Sequence, residues 1–170
     1  MIRKTEQGDI SSLETLYQEA FPEEDLWMLV TELLKDEQHT LTLSALQEDV
    51  LVGHIMFTRC HAQPEHIPLV LLGPMAVLPT FQRQGIGGRL IEEGLTRLRQ
   101  EYIAKIFVLG DPNYYSRSGF TEESSVLPAY SIPEEWKPAW QSIELTDCST
   151  PLAGKLNVTK PWQRKELWSE

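Results

Sequence analysis

The stretch Val77-Leu-Pro-Thr-Phe-Gln-Arg-Gln-Gly-Ile-Gly-Gly-Arg-Leu90 decides how the whole chain is interpreted. It follows an apolar run that begins at Leu69 and leads into a helical pattern of apolar residues that continues to Leu98. The first amides of a helix have no partner within it and carry partial positive charge. Glycines let the backbone come close to a ligand there. A strand, a glycine-rich loop and a helix in this order predict an anion site, typically for phosphate.

Two known phosphate-binding motifs fit this stretch poorly. A P-loop requires Gly-x-x-x-x-Gly-Lys-Ser/Thr, a string that the sequence lacks. A dinucleotide fingerprint requires Gly-x-Gly-x-x-Gly directly after a strand, with an acid about 20 residues further on. Gly85 and Gly87 match and Asp111 follows the next apolar run, but Leu90 replaces the third glycine and a polar segment separates loop and strand. A nucleotide-binding oxidoreductase is therefore the less favoured alternative.

Composition limits the classes of protein that need to be considered. The 170 residues suit one domain with a hydrophobic core, and 41% of them are hydrophobic. The formal net charge of −10 disfavours nucleic acid as a partner, because nucleic-acid binding requires a basic surface. The sequence shows no membrane helix or signal peptide, and Cys60 and Cys148 give no disulfide framework. A cytoplasmic protein with no membrane partner is the simplest inference.

Apolar spacing and turn residues predict a mixed α/β sheet flanked by helices. Before the loop they predict a strand, a helix capped by Asp9, and a second helix with the acids 23–25 in its first turn. A hairpin follows, whose second strand ends at Arg59, and residues 60–68 are predicted to form a loop. Gly73-Pro74 interrupts the next strand and predicts a bulge that turns backbone amides away from the sheet.

Beyond the loop, the pattern predicts a helix from about Gly87 to Gln100 and a strand from Ala104 to Leu109. A short helix then ends at Gly119. Strands are predicted again at residues 142–146 and 155–158, in a region rich in proline and tryptophan. The tryptophans of this region are interpreted chiefly as packing residues.

Two motifs in this arrangement resemble those of the GNAT superfamily of N-acetyltransferases. Gln82-x-x-Gly85-x-Gly87 is similar to its acyl-CoA signature, and Tyr115-x-x-x-Gly119-Phe120 is similar to its second motif, in the right order and at the right distance. The resemblance covers about Ile2 to Phe120. Residues 109–120 are especially similar to a bacterial branch of predicted acetyltransferases.

The resemblance implies a GNAT-like acyl-CoA N-acyltransferase fold with a mostly antiparallel sheet. It also implies a single domain over residues 1–170, with an acyl-CoA-binding core at 1–125. Residues 126–170 are interpreted as a C-terminal lobe of that domain, because about 40 residues make a poor independent core.

The resemblance further implies acetyl-CoA as cosubstrate and direct attack by an amine of a small molecule or a protein. Loop amides would hold the pyrophosphate, amides around Met75 the thioester oxygen, and the backbone of Ala76 and Val77 the pantetheine arm. Tyr115 would protonate the leaving thiolate, since a phenol is protonated at neutral pH. Asn113 would bind CoA or cap the short helix. The implied cofactor-binding residues are Met75, Ala76, Val77, Gln82, Arg83, Gln84, Gly85, Ile86, Gly87, Gly88, Asn113 and Tyr115.

A general base is not evident from the sequence. Many relatives carry an acid on the bulged strand, but residues 71–77 contain none. Glu24 and Asp25, near the presumed acceptor side, and His54, on a strand, are the candidates. Glu24 and Asp25 are also the candidate substrate-binding residues. A water relay, or an amine that arrives neutral, would need no dedicated base.

Three other questions stay open at this stage. Cys60, His61 and His66 lie close in sequence, but their spacing matches no zinc site, so no metal is expected. The protein is expected to be a monomer or a homodimer. A non-catalytic acyl-CoA sensor or partner module is the main alternative to an enzyme, because the strand lacks the usual acid.

Overall fold

The computed structural model describes residues 1–147 and 149–169, so Cys148 lies outside the described residues. The chain forms two compact units, Met1–Phe57 with Gly73–Gly94, and Thr58–Leu72 with the chain from Leu95 onward. The helices are α1 (Ile10–Ala20), α2 (Trp27–Lys35), α3 (Ile86–Gln100) and α4 (Pro112–Tyr115). The strands are β1 (Ile2–Lys4), β2 (Thr40–Gln47), β3 (Val50–Gln63), β4 (Leu69–Val77), β5 (Lys105–Leu109), β6 (Thr121–Glu122), β7 (Trp140–Glu144) and β8 (Ala153–Asn157).

In the first unit the strands follow the order β1-β2-β3-β4, and β1 pairs antiparallel with β2. Helices α1 and α2 are amphipathic, and each buries a row of residues at helical spacing. These buried residues are Leu13, Leu16 and Tyr17 in α1 and Leu29, Val30 and Leu33 in α2. Burial of one such leucine contributes about 2 kcal/mol, so the two helices supply a large part of this core.

Helix α3 packs against β3 through a glycine on each element. A Cβ on Gly53 of β3 would lie 3.0 Å from Ile86 Cγ2 and 3.1 Å from Leu90 Cδ1. A Cβ on Gly94 of α3 would lie 2.2 Å from Phe57 Cζ. A Cβ on Gly94 would overlap the Phe57 ring, so glycine allows the close approach there, whereas a Cβ on Gly53 would make the contact with Ile86 and Leu90 tight. The packing fixes the start of α3 and therefore the glycine-rich loop that leads into it.

In the second unit the strand order is β4-β5-β7-β6, and β8 pairs with the end of β3. Strand β5 runs parallel to β4 and antiparallel to β7, and β6 is antiparallel to β7. Trp140 stacks on Phe107 at 5.5 Å, and Trp168 contacts both Trp140 and Trp162 edge-on. The predicted mixed, mostly antiparallel sheet is confirmed, and these three tryptophans are packing residues.

The predicted cap of α1 is correct in position but not in bonding. Asp9 ends a 3-10 turn and occupies the N-cap position of α1, but its side chain makes no cap bond to the helix. Its carboxylate instead accepts hydrogen bonds from the Arg3 guanidinium at 2.8 and 2.9 Å and from the Glu6 amide at 2.8 Å. A bidentate pair with a full positive charge is stronger than a single bond from a helix amide, which explains the preference.

Two predicted boundaries also differ. Helix α2 begins at Trp27, so the acids 23–25 lie before its first turn, in a connection longer than predicted. Strand β3 continues to Gln63, where a loop was predicted from Cys60. The extension is held by pairing with β8, a partner from the far end of the chain that local sequence does not reveal.

Other predicted features are confirmed. Helix α3 begins within one residue of the prediction, and Gly119 ends the short helical segment at φ 99°. Strand β4 runs through Gly73-Pro74, with Gly73 at φ 138°, while the predicted bulge stays a prediction. In the part of the chain that the structure describes, no helix is long and apolar enough to cross a membrane.

Candidate functional site

The loop before α3 turns through two residues in the left-handed region. Arg83 has φ 65° and Gly85 has φ 81°. A left-handed conformation is uncommon for a residue with a Cβ and costs Arg83 about 1 kcal/mol. The Arg89 amide donates to the Gly85 carbonyl at 3.0 Å, which closes the first turn of α3. The amides of residues 86–88 therefore lie at the open end of the helix, where they have no partner within it.

Hydrogen bonds fasten this loop to the end of β4. The Gln82 side-chain amide donates to the Val77 carbonyl at 3.0 Å. The Phe81 amide donates to the Leu78 carbonyl at 2.8 Å, and the Leu78 amide donates to the Val52 carbonyl of β3 at 2.9 Å. Gln82, a predicted cofactor-binding residue, thus holds the loop against the strand.

Open space and positive charge lie beside these amides. A Cβ on Gly88 would have no heavy atom within 4 Å, and one on Gly85 would lie 3.6 Å from Arg89 Nη1. Arg83, Gln84, Gly85 and Arg89 are exposed. Two arginines beside the positive end of a helix, in a chain of net charge −10, form an arrangement that suits an anion.

The end of β4 carries the three predicted pantetheine and thioester positions. Ala76 is buried, whereas Met75 and Val77 are half-buried. The Pro74 carbonyl oxygen lies 3.5 Å from the Tyr17 hydroxyl of α1. Pro74 and Met75 share a trans peptide, so the Met75 N–H points away from that hydroxyl.

Tyr115 is held by α4 and by its neighbours in the second unit. The Asp111 carboxylate accepts a hydrogen bond from the Asn113 amide at 2.9 Å, so Asp111 is the cap of α4 and Asn113 is not. The Tyr115 ring lies against Gly110, where a Cβ would be 2.4 Å from Cε2. Phe120 contacts the same ring edge-on at 5.8 Å. These contacts fix the direction of the phenol.

The environment of Tyr115 keeps its hydroxyl protonated. Burial raises the pKa of Tyr115 well above its usual range, and the nearby Tyr114 and Asp111 act in the same direction. Burial also raises the pKa of Tyr114, opposed there by the Arg117 charge. A phenol in this state is a hydrogen-bond donor throughout the physiological pH range.

The candidate bases occupy very different positions. Glu24 and Asp25 are exposed before α2. His54 is fully buried between the Tyr17 hydroxyl, 2.8 Å from Nδ1, and the Thr42 hydroxyl, 2.6 Å from Nε2. Burial lowers the pKa of His54 to about 3, which outweighs the opposite effect of the Asp9 charge. An imidazole in this enclosed position does not hold a second proton at neutral pH, which argues against His54 as the general base.

The described residues contain no group of three or more His, Cys, Asp and Glu side chains that could hold a metal ion. Cys60 is buried, and burial raises the pKa of its thiol above the usual range. A buried thiol of this kind is unreactive.

The fold is that of an acetyltransferase family. Residues 10–120 match the model of the acetyltransferase (GNAT) family, and the chain belongs to that family. It is 37% identical over 164 residues to the uncharacterized N-acetyltransferase YjhQ of Escherichia coli K12, which covers 92% of this chain and 91% of the relative. It is 32% identical over 113 residues to the uncharacterized N-acetyltransferase YhbS of the same strain, over 66% of this chain and 68% of the relative.

Solved structures share the architecture. The crystal structure of the GNAT family N-acetyltransferase YhbS from Escherichia coli in complex with CoA matches with a TM-score of 0.86 and 26% identity, over 96% and 92% of the two chains. A GNAT family acetyltransferase from Brucella melitensis in complex with acetyl-CoA matches with a TM-score of 0.77 and 26% identity, over 96% and 97%. The predicted family, fold and class of enzyme, an N-acetyltransferase, are confirmed.

The polar contacts around Tyr17 are not evident from the sequence. Tyr17 lies at helical spacing among the apolar residues of α1, yet its hydroxyl contacts His54 and the Pro74 carbonyl. One signal was present: Thr42 and Ser44 alternate along β2, and Ser44 is fully buried. A buried hydroxyl needs a partner, so such a row points to a polar network.

Proposed function

We propose that this protein transfers an acetyl group from acetyl-CoA directly to the amine of an acceptor. The observation that carries the proposal is the start of α3, where the amides of residues 86–88 adjoin open space at Gly88 and two exposed arginines. A helix N-terminus of this kind favours phosphate. Family membership and the CoA or acetyl-CoA bound by two solved relatives support CoA as the phosphate ligand.

In this proposal the CoA pyrophosphate binds at residues 82–88, where backbone amides donate and the arginines contribute charge. The backbone of Ala76 and Val77 pairs with the pantetheine arm as an added strand would. The Met75 amide donates to the thioester oxygen as it becomes negative. Removal of one such donor typically costs about 10²–10³-fold in kcat, so this amide is the main electrostatic contribution of the first unit.

Tyr115 donates to the leaving sulfur, and Asn113 binds CoA nearby. The raised pKa of Tyr115 keeps the donor protonated, but it also makes the phenol a weak acid. Even at reference values of about 10 for phenol and about 8.5 for thiol, full proton transfer is uphill by about 2 kcal/mol. Burial raises the pKa of a thiol as well. The phenol therefore acts first as a hydrogen-bond donor to the growing thiolate charge, and the proton crosses as the sulfur departs.

The acceptor is an amine of a small molecule or a protein amino group. Glu24 and Asp25 are exposed carboxylates that would attract a cationic acceptor. The attacking amine must be neutral, and β4 offers no carboxylate to deprotonate it. Loss of its proton to water is the simplest route, which predicts activity that rises with pH up to the pKa of the acceptor itself.

We also propose that residues 1–170 form one cytoplasmic domain with residues 126–170 as its C-terminal lobe. The pairing of β7 with β5 supports this assignment, as does the stacking of Trp140 on Phe107. Both contacts join the lobe to residues before position 125. The monomer and the homodimer stay equal alternatives.

Ligand-induced thermal stabilisation tests the cosubstrate. Wild type is compared with Gly88→Glu, whose side chain enters the open space beside the helix amides and repels phosphate. Gly8→Glu is the matched control, because a Cβ on Gly8 also has no heavy atom within 4 Å. A ligand at 100 times its Kd adds about 2.7 kcal/mol. We expect acetyl-CoA and CoA to stabilise wild type and Gly8→Glu but not Gly88→Glu, whereas a preference for NAD would overturn the proposal.

Turnover tests the role of Tyr115. With a panel of amines, Tyr115→Phe is expected to lower kcat by about 10²-fold, the lower end of what a general acid contributes. Acetyl-CoA affinity should change little, because only the hydroxyl is removed. Tyr102→Phe, at an exposed position outside both motifs, is the control. Full activity of Tyr115→Phe would remove the tyrosine from the mechanism, and acetyl-CoA binding without turnover of any amine would favour the sensor alternative.

A further inference from the structure

A chain of polar groups crosses the first unit from a carboxylate to the backbone of β4. Its seven groups come from β2, β3, β4, α1, the residue after β1 and the 3-10 turn before α1. Six contacts join them. The contacts are Asp9–Ser44 at 3.4 Å, Ser44–Thr5 at 2.8 Å, Thr5–Thr42 at 2.8 Å, Thr42–His54 Nε2 at 2.6 Å, His54 Nδ1–Tyr17 at 2.8 Å and Tyr17–Pro74 carbonyl at 3.5 Å. We refer to these groups as the Asp9–Pro74 chain.

The Asp9–Pro74 chain has fewer protons than contacts. Its four hydroxyl groups carry one proton each, and neutral His54 carries one, which makes five protons for the six contacts. Burial lowers the pKa of His54 to about 3, so a second ring proton is absent at neutral pH. One of the six contacts is therefore always without a proton.

An arrangement that uses all five protons leaves one of the six contacts without a proton. The four inner contacts are short enough to be hydrogen bonds, which leaves two arrangements with the unprotonated contact at one end of the chain. In the first, every donor points toward Asp9: Tyr17 donates to Nδ1 of His54, the Nε2–H of His54 donates onward, and the contact to Pro74 has no proton. In the second, every donor points toward Pro74, the ring proton is on Nδ1, and the contact between Ser44 and Asp9 has none. The two contacts that alternate are the two longest, at 3.4 and 3.5 Å, while the four inner ones measure 2.6–2.8 Å.

We propose that the Asp9–Pro74 chain is a reversible hydrogen-bond network that orients and polarises the Pro74–Met75 peptide, with Tyr17 and His54 as positioning residues for acetyl transfer. This inference rests on the proposed function, in which the Met75 amide donates to the thioester oxygen. Neither side chain touches the reacting atoms in this assignment. Both act through the peptide that they hold.

The Pro74–Met75 peptide connects the Asp9–Pro74 chain to the thioester oxygen of the proposed reaction. The carbonyl and the N–H of a trans peptide point in opposite directions, so a donor on the Pro74 side does not occupy the Met75 amide on the other side. A carbonyl that accepts a hydrogen bond makes its amide a stronger donor, by roughly 10–30% per bond. As charge develops on the thioester oxygen, the Pro74 carbonyl becomes a better acceptor, and this favours the arrangement that points toward Pro74. Arg3 holds the Asp9 carboxylate in place as the competing acceptor.

The tautomer of His54 reports the direction of the chain without any assay of activity. Ser44→Ala removes the donor to Asp9 and leaves four protons for four contacts. Each of these contacts has a proton only when every group donates toward Pro74, and the ring proton of His54 is then on Nδ1. Tyr17→Phe removes the donor to Pro74, so the ring proton moves to Nε2, where Thr42 accepts it. We expect nitrogen NMR of the imidazole to show opposite tautomers in these two variants. The same tautomer in both would overturn the reversible network.

Steady-state kinetics test the catalytic consequence. Tyr17→Phe is expected to lower kcat about tenfold, less than the 10²–10³-fold of losing a donor outright, because the Met75 amide is still present. The KM for acetyl-CoA should stay within twofold. Ser44→Ala is expected to keep kcat at or above the wild-type value, whereas a merely structural role predicts similar losses in both variants. Equal kcat in Tyr17→Phe and wild type would overturn the positioning role.

Failure of the inference and failure of the proposed function give different results. If acetyl-CoA does not bind the wild type, the proposed function fails, and the tautomers still decide whether the chain reverses. If acetyl-CoA binds and an amine is acetylated, but Tyr17→Phe is unimpaired, the proposed function stands and this inference is wrong.

Discussion

A buried polar network lies in each unit, and the two networks are built from different chemistry. The Asp9–Pro74 chain of the first unit has neutral hydroxyls and a neutral imidazole along its length. In the second unit a single carboxylate, Glu123, collects every bond. It accepts from Lys105 Nζ at 2.7 Å, from the Ser142 hydroxyl at 2.6 Å, and from the amides of Ser125 and Val126 at 2.8 and 2.7 Å.

The type of polar group decides how many directions the hydrogen bonds of each network can take. An ionised carboxylate only accepts, so each partner of Glu123 must donate and the network has one direction. It ties β5 and β7 to the turn after β6, which suits a fixed anchor. A chain of hydroxyls and imidazole both donates and accepts at every step, so it allows two directions at little cost. The charged network is suited to stability and the neutral one to a response.

The largest loss of stability is expected from Glu123→Ala. It leaves Lys105, whose side chain is only 15% exposed, without its ion-pair partner. The buried amide of Val126 and the part-buried amide of Ser125 also lose their acceptor. Breaking a buried ion pair on one side costs about 3–5 kcal/mol, to be measured by urea unfolding. Glu101→Ala breaks an exposed pair with Arg59 and is the control, expected within about 1 kcal/mol of wild type. Equal losses in the two variants would contradict the anchoring role.

Acidification is expected to weaken both networks at their carboxylates. The hydrogen bonds from Arg3 hold the pKa of Asp9 below its usual range. Burial raises the pKa of Glu123, but bonds from Lys105, Ser142 and Val126 outweigh burial and lower it overall. A carboxyl with a lowered pKa in the folded state stabilises the protein above its unfolded pKa of about 4, and this stability is lost as the pH falls through the folded pKa.

Urea midpoints measured between pH 7 and pH 3 check this expectation. The free energy of unfolding should fall steeply in the acidic part of the range for wild type. It should fall less in the double variant Asp9→Asn/Glu123→Gln, because neither side chain then titrates. Parallel curves for the two proteins would show that other groups dominate acid unfolding.

A smaller loss of stability is expected when a hydroxyl is removed from the middle of the Asp9–Pro74 chain. Thr42→Val keeps the shape of the side chain but removes the hydroxyl that lies 2.6 Å from His54 Nε2. A neutral hydrogen bond contributes about 0.5–1.5 kcal/mol, so we expect a loss of about 1 kcal/mol in urea unfolding. A loss as large as that of Glu123→Ala would mean that the neutral chain also acts as an anchor.

The parts of the site that the sequence predicted depend on local spacing. The loop, the start of α3 and the helix end at Gly119 follow from glycines and apolar residues a few positions apart, and family motifs assign Tyr115. The Asp9–Pro74 chain could not be predicted in this way. Tyr17 meets His54 and Thr5 meets Thr42 across 37 residues in each case. A local pattern cannot show which strands become neighbours, so it indicated a cap at Asp9 and gave no sign of the polar partners of Tyr17.

The end of β3 also shows that a partner distant in sequence decides local structure. The polar composition of residues 60–68 predicted a loop, yet the strand reaches Gln63 because β8 pairs with it. Local composition reports the tendency of a segment, whereas a distant partner decides its final state. The burial that argues against His54 as the general base is likewise a property of the packed unit, which the local sequence does not show.

The smallest expected difference in stability distinguishes the two networks, with one substitution made in each. Ser44 and Ser142 are both buried, and each contacts a carboxylate. Ser142→Ala removes a 2.6 Å bond to charged Glu123 and is expected to cost about 2 kcal/mol, the range for hydrogen bonds to charged groups. Ser44→Ala is expected to cost less than about 1 kcal/mol, because four protons then serve four contacts and Asp9 keeps its bonds from Arg3 and Glu6. Equal costs in urea unfolding would mean that the Ser44 contact is permanently bonded, and the neutral chain would then have a single direction, as the charged network does.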